Sequence, residues 1–193
     1  ATGNDGQVLT SAGAGQPCAF EDAAGGSWSV VSSHDFASSN ATTATLTGID
    51  GSANLKYAVL MAGLDSASNF VLSAQMGTAS AFHDGDHYTH ISNCTSASTS
   101  YAAEVQSNAS DMDITPSTVS AGYEGFTAAF FLSIAEEQAG IMITGTIGIQ
   151  DPVLSGGQYL ASVASGQTFT RYKLICNQTL NKGKITLYKI SDT

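Results

Sequence analysis

The chain has 193 residues, room for one substantial domain with its own core. Only 11% of them are charged, yet 16 acids against 6 bases leave a formal net charge of -10. Polarity rests instead on 25 Ser and 20 Thr, a composition that disfavours long helices and points to an all-β fold, while the acidic balance excludes a nucleic-acid interface, which needs a basic footprint.

The chain opens at Ala1, as expected of a fragment or a processed product, and residues 3–26 read "GNDGQVLTSAGAGQPCAFEDAAGG". Val8 and Leu9 make a short strand candidate between glycine turns, and AAGG is a natural flexible joint. So short a segment cannot bury a core of its own. Residues 1–26 therefore read as a connector, with residues 27–193 as the domain proper.

Strand-like segments then follow one another. "SWSVVSS" and "TATLTGI" come first, and "LKYAVLMAGL", apolar on both faces, reads as a central strand. "NFVLSAQM" alternates, with Phe70, Leu72 and Ala74 on one face. Further along stand "YAAEVQS", "DMDITP", "FTAAFFLSI", "GIMITGTIGI", "TFTRYKLIC" and "GKITLYKI". Ten or so short strands between Gly, Ser, Asn and Asp turns fit an antiparallel jelly-roll-like β-sandwich. Only "TSYAAEVQS" and "SIAEEQAG" also read as helical, the second equally well as a turn.

Residues 1–170 hold fifteen acids and Lys56, for -14, whereas 171–193 hold Arg171, Lys173, Lys182, Lys184 and Lys189 against Asp192, for +4. The basic end reads as a strand whose charges face solvent or pair with the acidic body. Cys18, Cys94 and Cys176 have no zinc or disulfide-framework spacing, so they read as buried or partly buried thiols, though one pair could bridge. No apolar run reaches membrane length. Sequons at Asn40, Asn93, Asn108 and Asn177 carry little weight where hydroxyl residues are so common.

"FHDGDHYTH", residues 82–90, holds three of the four histidines. Asp-Gly-Asp opposes a helix and favours a turn, and on a strand His83 and His87 would face away from Asp84, Asp86 and His90. Neither geometry gathers more than two histidines from one chain, and "DGD" is only a fragment of a calcium loop. The stretch admits a metal site, a local polar turn leading into a strand from His87 to Ile91, or a ligand-contact loop. As a loop it would offer His83, Asp84, Asp86, His87, Tyr88 and His90 to a ligand, with Tyr88 and the imidazoles suited to a sugar ring. No catalytic residue, metal or cofactor is assigned. Glu104, Glu124, Glu136 and Glu137 could supply a glycosidase pair but read as surface acids, and Trp28 reads as a core or interface anchor before a sugar platform.

"GNDGQVLTSAGAGQPCAF", residues 3–20, resembles a G-x-x-G-Q-V-L-T-S-x-G-A-G segment of bacteriophage tail-fibre and related virion proteins, where it lies between a fibrous shaft and a distal domain. "GKITLYKI", residues 183–190, is similar to the strand that closes many such domains, except that Lys189 stands where the family usually has Gly. Residues 50–78, a strand around a Tyr, a turn and an alternating strand, fit the same proteins. The resemblance implies the distal region of a virion structural protein, a homotrimer whose connector meets a shaft or its trimer mates. Its head would recognise a host-surface glycan or protein without catalysis. In a trimer one inward histidine per chain would give three ligands about an axis, which keeps the metal reading open. The other readings are a capsid decoration or head-fibre protein with a structural role only, and a polysaccharide-degrading enzyme.

Overall fold

A computed structural model of the chain describes residues 7–10, 14–15, 18–22, 28–51, 56–82, 88–96, 101–115, 118–122, 126–135, 140–149, 154–164 and 168–191. Among these residues there is no helix. The first strands are β1 (Gln7–Thr10), β2 (Ala19–Asp22), β3 (Trp28–Asp35), β4 (Ala41–Thr47), β5 (Lys56–Ser66) and β6 (Leu72–Gly77). β7 (Tyr88–Ser96), β8 (Tyr101–Ala109), β9 (Met112–Asp113) and β10 (Phe126–Ala135) come next. β11 (Gly140–Ile149), β12 (Leu154–Ala164) and β13 (Arg171–Ile190) complete the fold.

β1 and β2 pair only with each other, Leu9 opposite Phe20 and Val8 opposite Glu21. The other eleven strands form one antiparallel sheet in the order β8-β7-β12-β11-β10-β5-β13-β6-β9, with β3 and β4 also paired to β13. The all-β, antiparallel expectation holds, with the strands joined in one sheet that curls until β7 meets β9. Its inner face holds a single apolar cluster, in which Phe36, Tyr57, Phe126, Phe130 and Tyr172 are at most 1% exposed.

β13 explains how one sheet can enclose that core. Its first half, Arg171–Cys176, runs between β4 and β6, and its second half, Lys184–Ile190, runs between β3 and β5. Tyr172, Leu174, Cys176 and Leu180 point inward at even positions, whereas Ile185 and Leu187 do so at odd ones. The parity changes because Asn181 is an extra residue against β5, and β5 answers with an extra residue between Ala62 and Asp65. Gly183 sits at the bend with φ of +85°, and a Cβ there would lie 2.4 Å from the Gly63 carbonyl oxygen. Only glycine fits. The sequence pattern loses phase here, so "TFTRYKLIC" and "GKITLYKI" read as two strands although the chain makes one.

Other stretches were ambiguous or missed in the sequence reading. β8 forms where "TSYAAEVQS" also read as helical, because pairing with β7 outweighs the helix propensity of Ala and Glu. β12 was not anticipated, since Gly156-Gly157 resembles a turn; Gly156 is instead the bulged residue opposite the Thr95–Cys94 step. Gly145 on β11 faces Phe130 on β10, and a Cβ would stand 2.4 Å from that ring. The bare position lets the ring lie against the neighbouring strand. Of "SIAEEQAG", Ile134 and Ala135 end β10, and residues 136–139 lie outside the described ones.

Candidate functional site

His83, Asp84, Asp86 and His87 lie outside the described residues. Tyr88 and His90 stand on β7, Tyr88 opposite Val163 and Ala109, His90 opposite Ala161 and Gln106. Of the expected strand from His87 to Ile91, residues 88–91 lie on β7, which runs on to Ser96, and His87 lies outside the described residues.

The segment's N-terminal foot is firmly placed. Phe82 bridges to Gly77 at the end of β6, where a Cβ on Gly77 would come 2.6 Å from its ring. The turn before it is closed by the Thr78 amide donating to the Ala81 carbonyl at 2.8 Å. Two cations from β13 lie over the Phe82 ring, the Arg171 guanidinium carbon 4.5 Å and the Lys173 Nζ 4.3 Å from its centroid. Such contacts contribute about 0.5–2 kcal/mol each, depending on desolvation. Arg171 Nε also donates to the Thr78 carbonyl at 2.6 Å, while its buried Nη2 has no partner among the described residues. Strand alternation puts Arg171 and Lys173 on the outer face while Tyr172 and Leu174 fill the core. The basic end of the sequence, read as solvated or acid-paired, supplies here the base of the histidine segment.

A second polar cluster sits where β13 bends. Asp65 is 3% exposed, and its Oδ1 accepts from the Ser66 amide at 2.8 Å and the Gly122 amide at 3.0 Å. Its Oδ2 lies 3.4 Å from Lys182 Nζ, and that side chain is 46% exposed. Ser66 Oγ donates to the Thr179 carbonyl at 2.9 Å. A shallow cleft of about 350 Å³ opens here between Ala67, Ala121 and Asn181. The Asp65 carboxylate is satisfied by backbone amides and one cation, so this cluster pins the turn at residues 121–122 to the paired bulges of β5 and β13. Sequence reasoning missed it because it joins three distant segments, with 57 residues from Asp65 to Gly122 and 113 from Ser66 to Thr179, and no local signal.

Trp28 is no core residue. It lies on the outer face, its ring centroid 5.9 Å from Phe131 in an edge-to-face arrangement and 5.8 Å from Tyr188. Val30, Tyr188, Ala58 and Phe131 form one row across β3, β13, β5 and β10. Trp28, Phe131 and Val30 are 42%, 43% and 62% exposed.

Cys176 is a buried free thiol whose pKa is raised by burial, but Cys18 is exposed, where a buried or partly buried thiol was expected. Cys94 stands on β7 opposite Gly157 and Ala102. Of the four glutamates weighed as a glycosidase pair, Glu104 is on β8 opposite Ser92, and Glu124, Glu136 and Glu137 lie outside the described residues. No three His, Cys, Asp or Glu side chains come together as metal ligands among the described residues. No protein-family model matches this chain, and no match is found among curated proteins or solved structures.

Proposed function

We propose that this chain is the distal region of a bacteriophage tail-fibre-like virion protein, a homotrimer that adheres to a host-surface receptor, a glycan before a protein. The observation that carries the reading is the fixed foot of the histidine segment. Phe82, held by Gly77, Arg171 and Lys173, fixes the point at which the histidine segment begins, and Tyr88 and His90 at its other end stand on β7. Recognition residues commonly sit on loops braced by such a rigid scaffold. His83, Asp84, Asp86, His87, Tyr88 and His90 supply donors, acceptors and an aromatic face for a hydroxyl-rich ligand. The motif resemblance at residues 3–20 and 183–190 supports the virion assignment. Three weak sites on one trimer would act together, since linkage raises effective concentration without new contacts.

The test is binding of the full chain to whole cells and to arrays of envelope glycans. Adhesion expects retention on one cell type or glycan class. Retention only on other virion components would replace the adhesin with a decoration protein. Release of reducing sugar, lost in a carboxylate variant, would make it an enzyme.

A further inference from the structure

A sheet with one face in the core normally shows water a polar outer face. Around Trp28 it does not: three aromatic rings from β3, β13 and β10 meet on the outside, beside Val30, with Ala58 fully buried in their row. Trp28, Val30 and Phe131 are the exposed large apolar side chains of the described residues, and all three belong to this one face.

The same chain carries an element in need of a surface. β1 and β2 are four residues each and pair with no third strand. An isolated two-stranded hairpin is marginal in water and needs a further strand or an apolar face to lie on. Its sequence is apolar and acidic: Val8, Leu9 and Phe20 stand with Glu21 and Asp22, and residues 1–27 contain three acids and no base. The aromatic face has the opposite charge at its border. Lys56, exposed, pairs in register with Ile190, which in turn pairs with Trp28 on the same face.

We propose that the Trp28–Tyr188–Phe131 face is the seat of the β1–β2 hairpin of a second copy of this chain. The second copy is favoured over the hairpin's own body because Trp28 and Phe131 stay more than two-fifths open within the single chain, its own hairpin included, while Tyr188 is half-buried between them. Only residues 23–27, "AAGGS", separate β2 from Trp28 in the sequence, a short glycine-containing joint that suits exchange of the hairpin between copies. Exchange between copies satisfies both parts with no new element, the usual route of domain swapping. The inference stands apart from adhesion. Lost receptor binding with association intact would sink the adhesin alone, and association that persists unchanged in variants of the seat and of the hairpin would sink this inference while leaving the homotrimer standing.

Trp28 is the single tryptophan, so its fluorescence reports the seat directly. The full chain is compared with W28S/F131S by sedimentation velocity, and with L9D/F20D by sedimentation and emission, over a hundredfold range of concentration. Expected are a blue shift of the intact chain's emission as it associates, and association at least tenfold weaker in both variants. The melting transition of W28S/F131S should stay cooperative, since both residues are exposed on the outer face. A chain that stays monomeric throughout, or an oligomer indifferent to both pairs of substitutions, overturns the proposal. So does a blue-shifted emission that ignores concentration yet is lost in L9D/F20D, which would mean the hairpin seats on its own body. A shift seen only on adding a soluble oligosaccharide would instead make the face a sugar platform and overturn it as well.

Discussion

The two halves of β13 make the same kind of inner face and opposite kinds of outer face. In the first half, Tyr172 and Leu174 go inward, and the outward Arg171 and Lys173 are covered by Phe82 of the same chain. In the second half, Ile185 and Leu187 go inward, and the outward Tyr188 joins Trp28 and Phe131 on a face left open. Cations next to an aromatic ring can be closed off locally by one turn of chain. Three rings on β3, β13 and β10 cannot, and the segment before Trp28 in the sequence is a hairpin with no third strand among the described residues.

Breaking the bend between the halves should have the largest effect. Gly183→Val puts a β-branched side chain at a left-handed φ against the Gly63 backbone, and should cost about 3 kcal/mol or more. Thermal melts should show both halves losing stability together. Asp65→Ala removes the acceptor that ties Ser66, Gly122 and Lys182 together, and should cost about 2 kcal/mol by denaturant titration. The lysine is half exposed, so most of that cost belongs to the two amides.

Smaller changes sharpen the contrast of outer faces. Phe82→Ala should cost about 1 kcal/mol, because it uncovers the two cations. Trp28→Ala should move the stability of the dissociated chain by only about 0.5 kcal/mol, since exposed positions contribute little. Equal losses at the two sites would erase the distinction between a covered and an open face. A weaker dependence lies at high pH. Burial raises the Tyr172 pKa far above its unfolded value of about 10. Its neutral form is therefore favoured by folding, a contribution fully present below about pH 10 and lost as pH rises beyond it. Tyr172→Phe should flatten the alkaline side of a stability-pH curve.

Much of this architecture was readable from alternation alone. Phe70, Leu72 and Ala74, read as one face of an alternating strand, are all buried in the core, and "LKYAVLMAGL", read as a central strand, supplies most of β5 between β10 and β13. The reading failed where geometry changes period. Asn181 and Gly183 shift the phase of β13, and Gly156 imitates a turn inside β12. The site was legible as chemistry and not as contact. "FHDGDHYTH" stood out by composition, but nothing local tells that Arg171 and Lys173, ninety residues away, lie over Phe82. Trp28 was read as a core or interface anchor, and neither its place on the outer face nor the rings beside it there were legible.

The account's central claim, that recognition rests on the segment footed at Phe82, is tested most directly by cell adsorption of the full chain beside its H83A/H87A/H90A variant. The account predicts that the variant keeps its melting temperature and its state of association and loses at least tenfold in adsorption. Undiminished adsorption of that variant, with adsorption lost on changing Trp28 and Phe131 instead, would contradict it.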